Sequence, residues 1–179
     1  DRYAFPEFWP AFVTGRYYTS QIAQGAVGTL ALVADTLYAI PFANLTDASV
    51  TMVTIGIELA TSTTGNFRLG MYYDISGEPG ALFFDAGSVA MGGVAGFKSI
   101  AISQAVTPSW YWLVLNASAA PSVRAYTNVC LDWIGFSSGT DIDKHAGIQV
   151  SSTFGALPDP FPGGYSLMTT NAPRVLIGP

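Results

Sequence analysis

The run WYWLVL, Trp110 to Leu115, is apolar at every position. As a strand it puts Trp110, Trp112 and Val114 on one face and Tyr111, Leu113 and Leu115 on the other, because successive side chains point to opposite sides. Neither face suits water, so the strand must be central and covered on both sides. Core packing is the reading adopted for this cluster, ahead of stacking onto sugar rings, and Trp112 is its expected anchor.

The rest of the chain agrees with a layered β architecture. Apolar segments of about five to ten residues alternate with turn chemistry, and helical periodicity is hard to find. Strands are expected near residues 29–33, 36–42, 49–59, 66–73, 81–89, 97–103, 110–116, 122–127 and 174–177. Polar Ser62 to Gly65, the loosening glycines Gly92, Gly93 and Gly96, and the boundary prolines Pro108 and Pro121 separate them. In SVTMVTIGIEL, residues 49–59, Val53, Ile55, Ile57 and Leu59 share the face expected to meet the core, and Glu58 points outward. The expected fold is all-β, a jelly-roll-like antiparallel β-sandwich of about nine strands with one long irregular loop.

Two regions resist regular alternation. Residues 1–28 read as an extended N-terminal segment in which Phe5, Phe8, Trp9, Phe12, Tyr17 and Tyr18 stand among Pro6, Pro10 and Gly15, suited to packing against something, another subunit included. Residues 29–179 read as the sandwich, containing an irregular insertion over 128–165 with a helical turn at Asp141 to Ala146. That insertion carries Cys130, Trp133, Phe136, Phe154, Phe161 and Tyr165, an aromatic content that argues for order.

Composition narrows the function classes. A chain of 179 residues suits one domain. Only 11% of its residues are charged, against about 25% in a typical soluble domain, so much of its surface must be uncharged. No apolar run approaches the ~20 residues of a membrane-spanning helix, since Asp35, Asp47 and Glu58 interrupt the candidates, and membrane insertion is not expected. No basic leader with an apolar segment follows Asp1, which leaves open a fragment or a processed chain. With net charge -5 and two lysines, Lys98 and Lys144, there is no basic patch to bind nucleic acid.

Catalytic constellations are equally sparse. His145 is the single histidine, and in TDIDKHAG it reads as a surface side chain, although Asp141 or Asp143 is near enough in sequence to join it in a triad. Cys130, between Val129 and Leu131, reads as a buried, inert thiol. Asp132, Asp141, Asp143 and Asp159 supply carboxylates of the kind glycosidases use in pairs, but structural or solvated roles are preferred. Asp74, Ser76 and Glu78 alternate in DISGE with Asp85 beyond, a conceivable calcium set that reads better as a turn. No cofactor or metal is expected.

Taken together, TLALVADTLYAIPF, VTIGIELATSTTGNFRLGMYYDISGEPGALFFDAGSV and SWYWLVLNASAAPSVRAY resemble a β-sandwich domain of tail-fibre, spike and other minor structural proteins of tailed bacteriophages and related prophage particles. The resemblance covers residues 16–127 and returns at Arg174 to Ile177, and it rests most on LYAIPF, on RLGMYYDISGEPG leading into LFFDAG, and on WYWLVL, in that order. Ser109 stands where such domains often have glycine, and residues 128–165 follow no family pattern. The resemblance implies a virion appendage domain, extracellular once assembled, in a homotrimer that contacts other virion structural proteins and a host surface.

Three functional readings follow. The first is a noncatalytic fibre or spike domain that binds a host-surface glycan through the insertion, with Trp133, Phe136 and Tyr165 as stacking faces and Asp141 as a hydroxyl acceptor. The bland alternative for these aromatics is a minor core beneath a long loop. The second reading is a capsid-decoration or fibre-assembly domain without glycan binding, and the third a polysaccharide-degrading enzyme.

Overall fold

The computed structural model describes residues 11–19, 26–127, 145–169 and 171–179. Among these the chain is all-β: β1 (Ala26–Ala31), β2 (Thr36–Asn44), β3 (Val50–Leu59), β4 (Asn66–Ile75), β5 (Glu78–Ala90), β6 (Gly96–Val106), β7 (Ser109–Ala117), β8 (Ser122–Thr127), β9 (His145–Ser151), β10 (Ser166–Thr169), β11 (Asn171–Pro173) and β12 (Val175–Gly178). Three strands exceed expectation: β9, β10 and β11. β9 lies inside the insertion read as irregular, and its first two residues, His145 and Ala146, are strand where the end of a helical turn was expected.

All pairings among these strands are antiparallel, and they build two six-stranded sheets. The first eight strands switch repeatedly between sheets, giving β1-β8-β3-β6 in one and β2-β7-β4-β5 in the other. This is the double Greek-key order of a jelly roll. The additions extend it: β9 pairs with β2 and β10 with β9, while β11 pairs with β8 and β12 with β3. β8 touches β3 directly at Leu59 and Val123, and the β11–β12 segment pairs with the two strands beyond that point.

The expected aromatic strand is β7, paired with β2 on one edge and β4 on the other. Its two faces feed two separate cores. Tyr111, Leu113 and Leu115 join Phe42, Ile55, Ile57, Phe67 and Met71 between the sheets. Trp112 and Val114 face away, joining Leu37, Ala39, Tyr72, Ile148, Leu157 and Phe161 in a second core. Trp112 is fully buried, as expected of an anchor.

One facing expectation is corrected. Ile55, Ile57 and Leu59 are buried, but Val53 is 46% exposed and Met52 takes the inward position. The β3–β6 register shifts between Met52 and Thr54, which breaks strict alternation there. Glu58 points outward as expected and meets Arg124 at 3.7 Å.

The N-terminal segment is partly placed. Tyr18 exchanges backbone hydrogen bonds with Ile177, and Phe12 packs edge-on to Tyr18 and beside Phe42. Residues 11–19 therefore pack on their own sandwich. The expected boundary after residue 28 falls within β1, and Phe5, Phe8 and Trp9 lie outside the described residues.

Candidate functional site

The candidate site lies on the outer face of the β2-β7-β4-β5 sheet, where residues 152–165 cross as a strap. The run RLGMYYDISGEPGALFFDAG forms its floor and edge as the β4–β5 hairpin. Ser76 (φ 58°) and Gly77 (φ 89°) are the two turn residues, and positive φ at both matches the hand of turn that suits twisted antiparallel strands. DISGE is thus a turn, as the sequence reading preferred.

Its acidic side chains are not free. Asp74 Oδ1 accepts from the Trp112 indole at 2.8 Å, and its Oδ2 accepts from the Gly77 amide at 3.1 Å. Asp85 receives Arg68 Nε and Nη2 at 2.9 and 2.7 Å, the Gly87 amide at 2.8 Å and the Leu157 amide at 2.9 Å. Burial alone would raise the Asp85 pKa, but the Arg68 guanidinium and the two amides outweigh it, and the carboxyl is held below its usual range. Among the described residues no cluster of three or more acidic, histidine or cysteine side chains is placed to hold a metal.

The strap is tied at both ends and the middle. Ser152 and Phe154 amides donate to Asp35, Leu157 to Asp85, and Phe161 to the Gly80 carbonyl. In return the Leu82 amide donates to Asp159 at 2.9 Å, and the Tyr72 hydroxyl donates to the Pro158 carbonyl. Tyr72 meets Phe161 edge-on at 5.2 Å. Burial, with the nearby Asp85 and Asp159 carboxylates, drives the Tyr72 pKa well upward and keeps the phenol a donor. Gly70 lets Leu157 seat, because a Cβ there would stand 2.4 Å from Leu157 Cδ1 and 2.5 Å from the Phe84 carbonyl oxygen.

Of the residues expected to bind ligand, Tyr165 is placed. It is half-buried against the second core, and its hydroxyl bonds Glu78, which with burial pushes its pKa up to about 12. Leu157 and Phe161 belong to this minor core, and Tyr165 packs against it while staying partly open to solvent. Trp133, Phe136 and Asp141 lie outside the described residues, as do Cys130, Asp132, Asp143 and the side chain of His145. Asp159, weighed as a hydrolytic carboxylate, instead accepts from the backbone of β5.

The sequence reading missed an aromatic rim at the neighbouring end of the sandwich. Tyr73 is 43% exposed and leans on Phe83 at 4.8 Å and on Tyr111 at 5.9 Å. The registers Met71↔Phe84 and Tyr72↔Leu82 leave Phe83 as an extra residue, which breaks the alternation that would have separated Phe83 from Phe84. The Arg68–Asp85 pair did have a sequence signal. A two-residue turn at Ser76 and Gly77 sets Arg68 opposite Asp85 in an unbulged hairpin, and the bulges shift its partner only to Ser88.

No protein-family model matches the chain, and neither curated proteins nor solved structures give a significant match.

Proposed function

We propose that this is a noncatalytic virion fibre or spike domain that recognises a host surface by binding glycan. The observation that supports it most is the commitment of nearby carboxylates. Asp74, Asp85 and Asp159 each accept hydrogen bonds that hold the fold together, while Tyr73, Phe83 and the exposed part of Tyr165 offer ring surface. Uncharged polar and aromatic surface is what recognition of a neutral or lightly charged polysaccharide requires.

Trp133, Phe136 and Asp141 complete the proposed contact set, with Tyr165 at its boundary. A glycan-array and whole-cell binding screen on the purified oligomer, followed by assay for released sugar, tests the reading. Binding without release is expected, with loss in Trp133→Ala and Tyr165→Ala. Tyr165→Phe separates the ring from its bond to Glu78. Unchanged binding in the alanine variants would overturn the assignment, and sugar release would favour the degrading-enzyme reading.

The assembly-domain reading has its own support. Thr14, Gly15, Arg16, Tyr17, Val53, Thr54, Gly178 and Pro179 line a groove of about 270 Å³ on the other sheet. Tyr17 meets the 40%-exposed Phe97 at 5.0 Å beside it. Apolar surface of this kind suits burial against other virion proteins.

A further inference from the structure

Sheet edges expose unpaired backbone groups, and proteins blunt them with shortness, bulges, proline or charge. Here β1 and β10 are edges of 6 and 4 residues. β5 is longer, at 13 residues, but its pairing with β4 shifts register three times and it carries Glu78, Pro79 and Asp85. β6 differs from all of these. Its 11 residues pair with β3 alone among the described strands, and the Asn44 side chain reaches only its last residue, donating to the Val106 carbonyl at 2.8 Å.

Burial along β6 alternates without a break through the register shift. Phe97, Ser99, Ala101, Ser103 and Ala105 are exposed, while Lys98, Ile100, Ile102 and Gln104 are half-buried. Ile100 and Ile102 touch the inter-sheet core but remain partly open to solvent. The exposed row carries no charge and, apart from Phe97, no bulk.

The order of residues selects the partner. Ser99-Ile100-Ala101-Ile102-Ser103 reads the same in both directions. A two-fold axis through Ala101 would place Ala101 on Ala101, Ser99 on Ser103 and Ile100 on Ile102. The flanks remain compatible: Phe97 would face Ala105, large on small, and Lys98 would face Gln104, not a second Lys98. An isologous contact demands this self-complementarity, and an unrelated edge has no reason to supply it. We propose that β6 pairs antiparallel with β6 of a second copy about Ala101, joining two sandwiches through one continuous sheet.

This inference does not rest on glycan binding or on the homotrimer that the sequence resemblance implies. Sedimentation of the full chain is expected to show a concentration-dependent dimer. Ser99→Lys with Ser103→Lys sets like charges opposite each other at both ends of the palindrome, and should weaken association roughly tenfold while leaving the circular dichroism spectrum unchanged. Mixing that variant with Ser99→Glu/Ser103→Glu should restore the dimer.

Directly opposed antiparallel residues sit about 4.5 or 5.5 Å apart at Cα, within disulfide reach. Ala101→Cys in a Cys130→Ser background should therefore form a covalent dimer on mild oxidation, and Thr51→Cys, one strand inward, should not. A monomer without Ala101→Cys cross-linking, or a trimer without it, would overturn the pairing. Failure of the charge-swapped mixture to reassociate would overturn it equally.

Discussion

The indole nitrogen of Trp112 donates to the carboxylate of Asp74 at 2.8 Å, linking the central strand β7 to the end of β4. The same carboxylate holds the Gly77 amide, so one side chain joins the outer core to the hairpin turn. Asp74→Ala removes the hydrogen bonds to the Trp112 indole and the Gly77 amide together, at a cost of about 1–3 kcal/mol. Thermal unfolding should show a Tm lower by roughly 2–12 °C for a chain of this size. A Tm within 1 °C of wild type, on the order of experimental scatter, would refute the structural role.

Asp85 predicts the acid limb of stability. Its folded pKa is depressed, so its contribution is present above the ordinary aspartate value of about 3.9 and is lost as pH falls through the lower folded value. Asp85→Asn should be less stable than wild type at pH 7, and the gap should narrow at about pH 3 and below. Urea midpoints across that range check it, and a gap independent of pH would contradict the assignment.

Tyr165 predicts the opposite limb. A phenol raised to about 12 is favoured in its neutral form by the fold. Its contribution is therefore present below the ordinary tyrosine value of about 10 and is lost as pH rises through the folded value. Glu78→Gln should bring the Tyr165 titration down towards about 10. Difference absorbance between each protein and its Tyr165→Phe counterpart isolates this phenol from the other tyrosines. An unmoved transition would exclude the Glu78 bond as its cause.

Gly70 predicts how the strap is seated. Gly70→Ala places a methyl against Leu157 and, less avoidably, against the Phe84 carbonyl. Such overpacking costs about 1–3 kcal/mol. Leu157→Ala removes packing without the clash, with a loss of about 2–5 kcal/mol. Both should speed proteolysis within residues 152–165, as mass spectrometry of the fragments would show. Resistance equal to wild type would mean that Leu157 does not hold the strap.

Much of the fold was legible because strand faces are a local property. The two-sided apolarity of Trp110 to Leu115 announced a central strand, covered from Tyr111 onward although Trp110 stays 37% exposed, and a turn within DISGEPG was written in its residue types, although Pro79 and Gly80 belong to β5 and only Ser76 and Gly77 make the turn. Val53 and Phe83 escaped that logic, since a register shift is set by how two strands meet and not by either strand alone. The strap escaped it too: Leu157 and Phe161 are apolar residues in a proline- and glycine-rich run, with no period to declare which surface they cover.

The sequence by itself determined the class of this protein, a layered β fold with Trp112 at its heart, because alternation and turn chemistry act within a few residues. Only the tertiary structure decided what its carboxylates do. Asp74, Asp85 and Asp159 find their donors in Trp112, Arg68, Leu157 and Leu82, some nearly eighty residues away along the chain. Hydrogen bonding depends on distance in space, and those distances exist only once β4, β5 and β7 have paired and the strap has crossed their outer face.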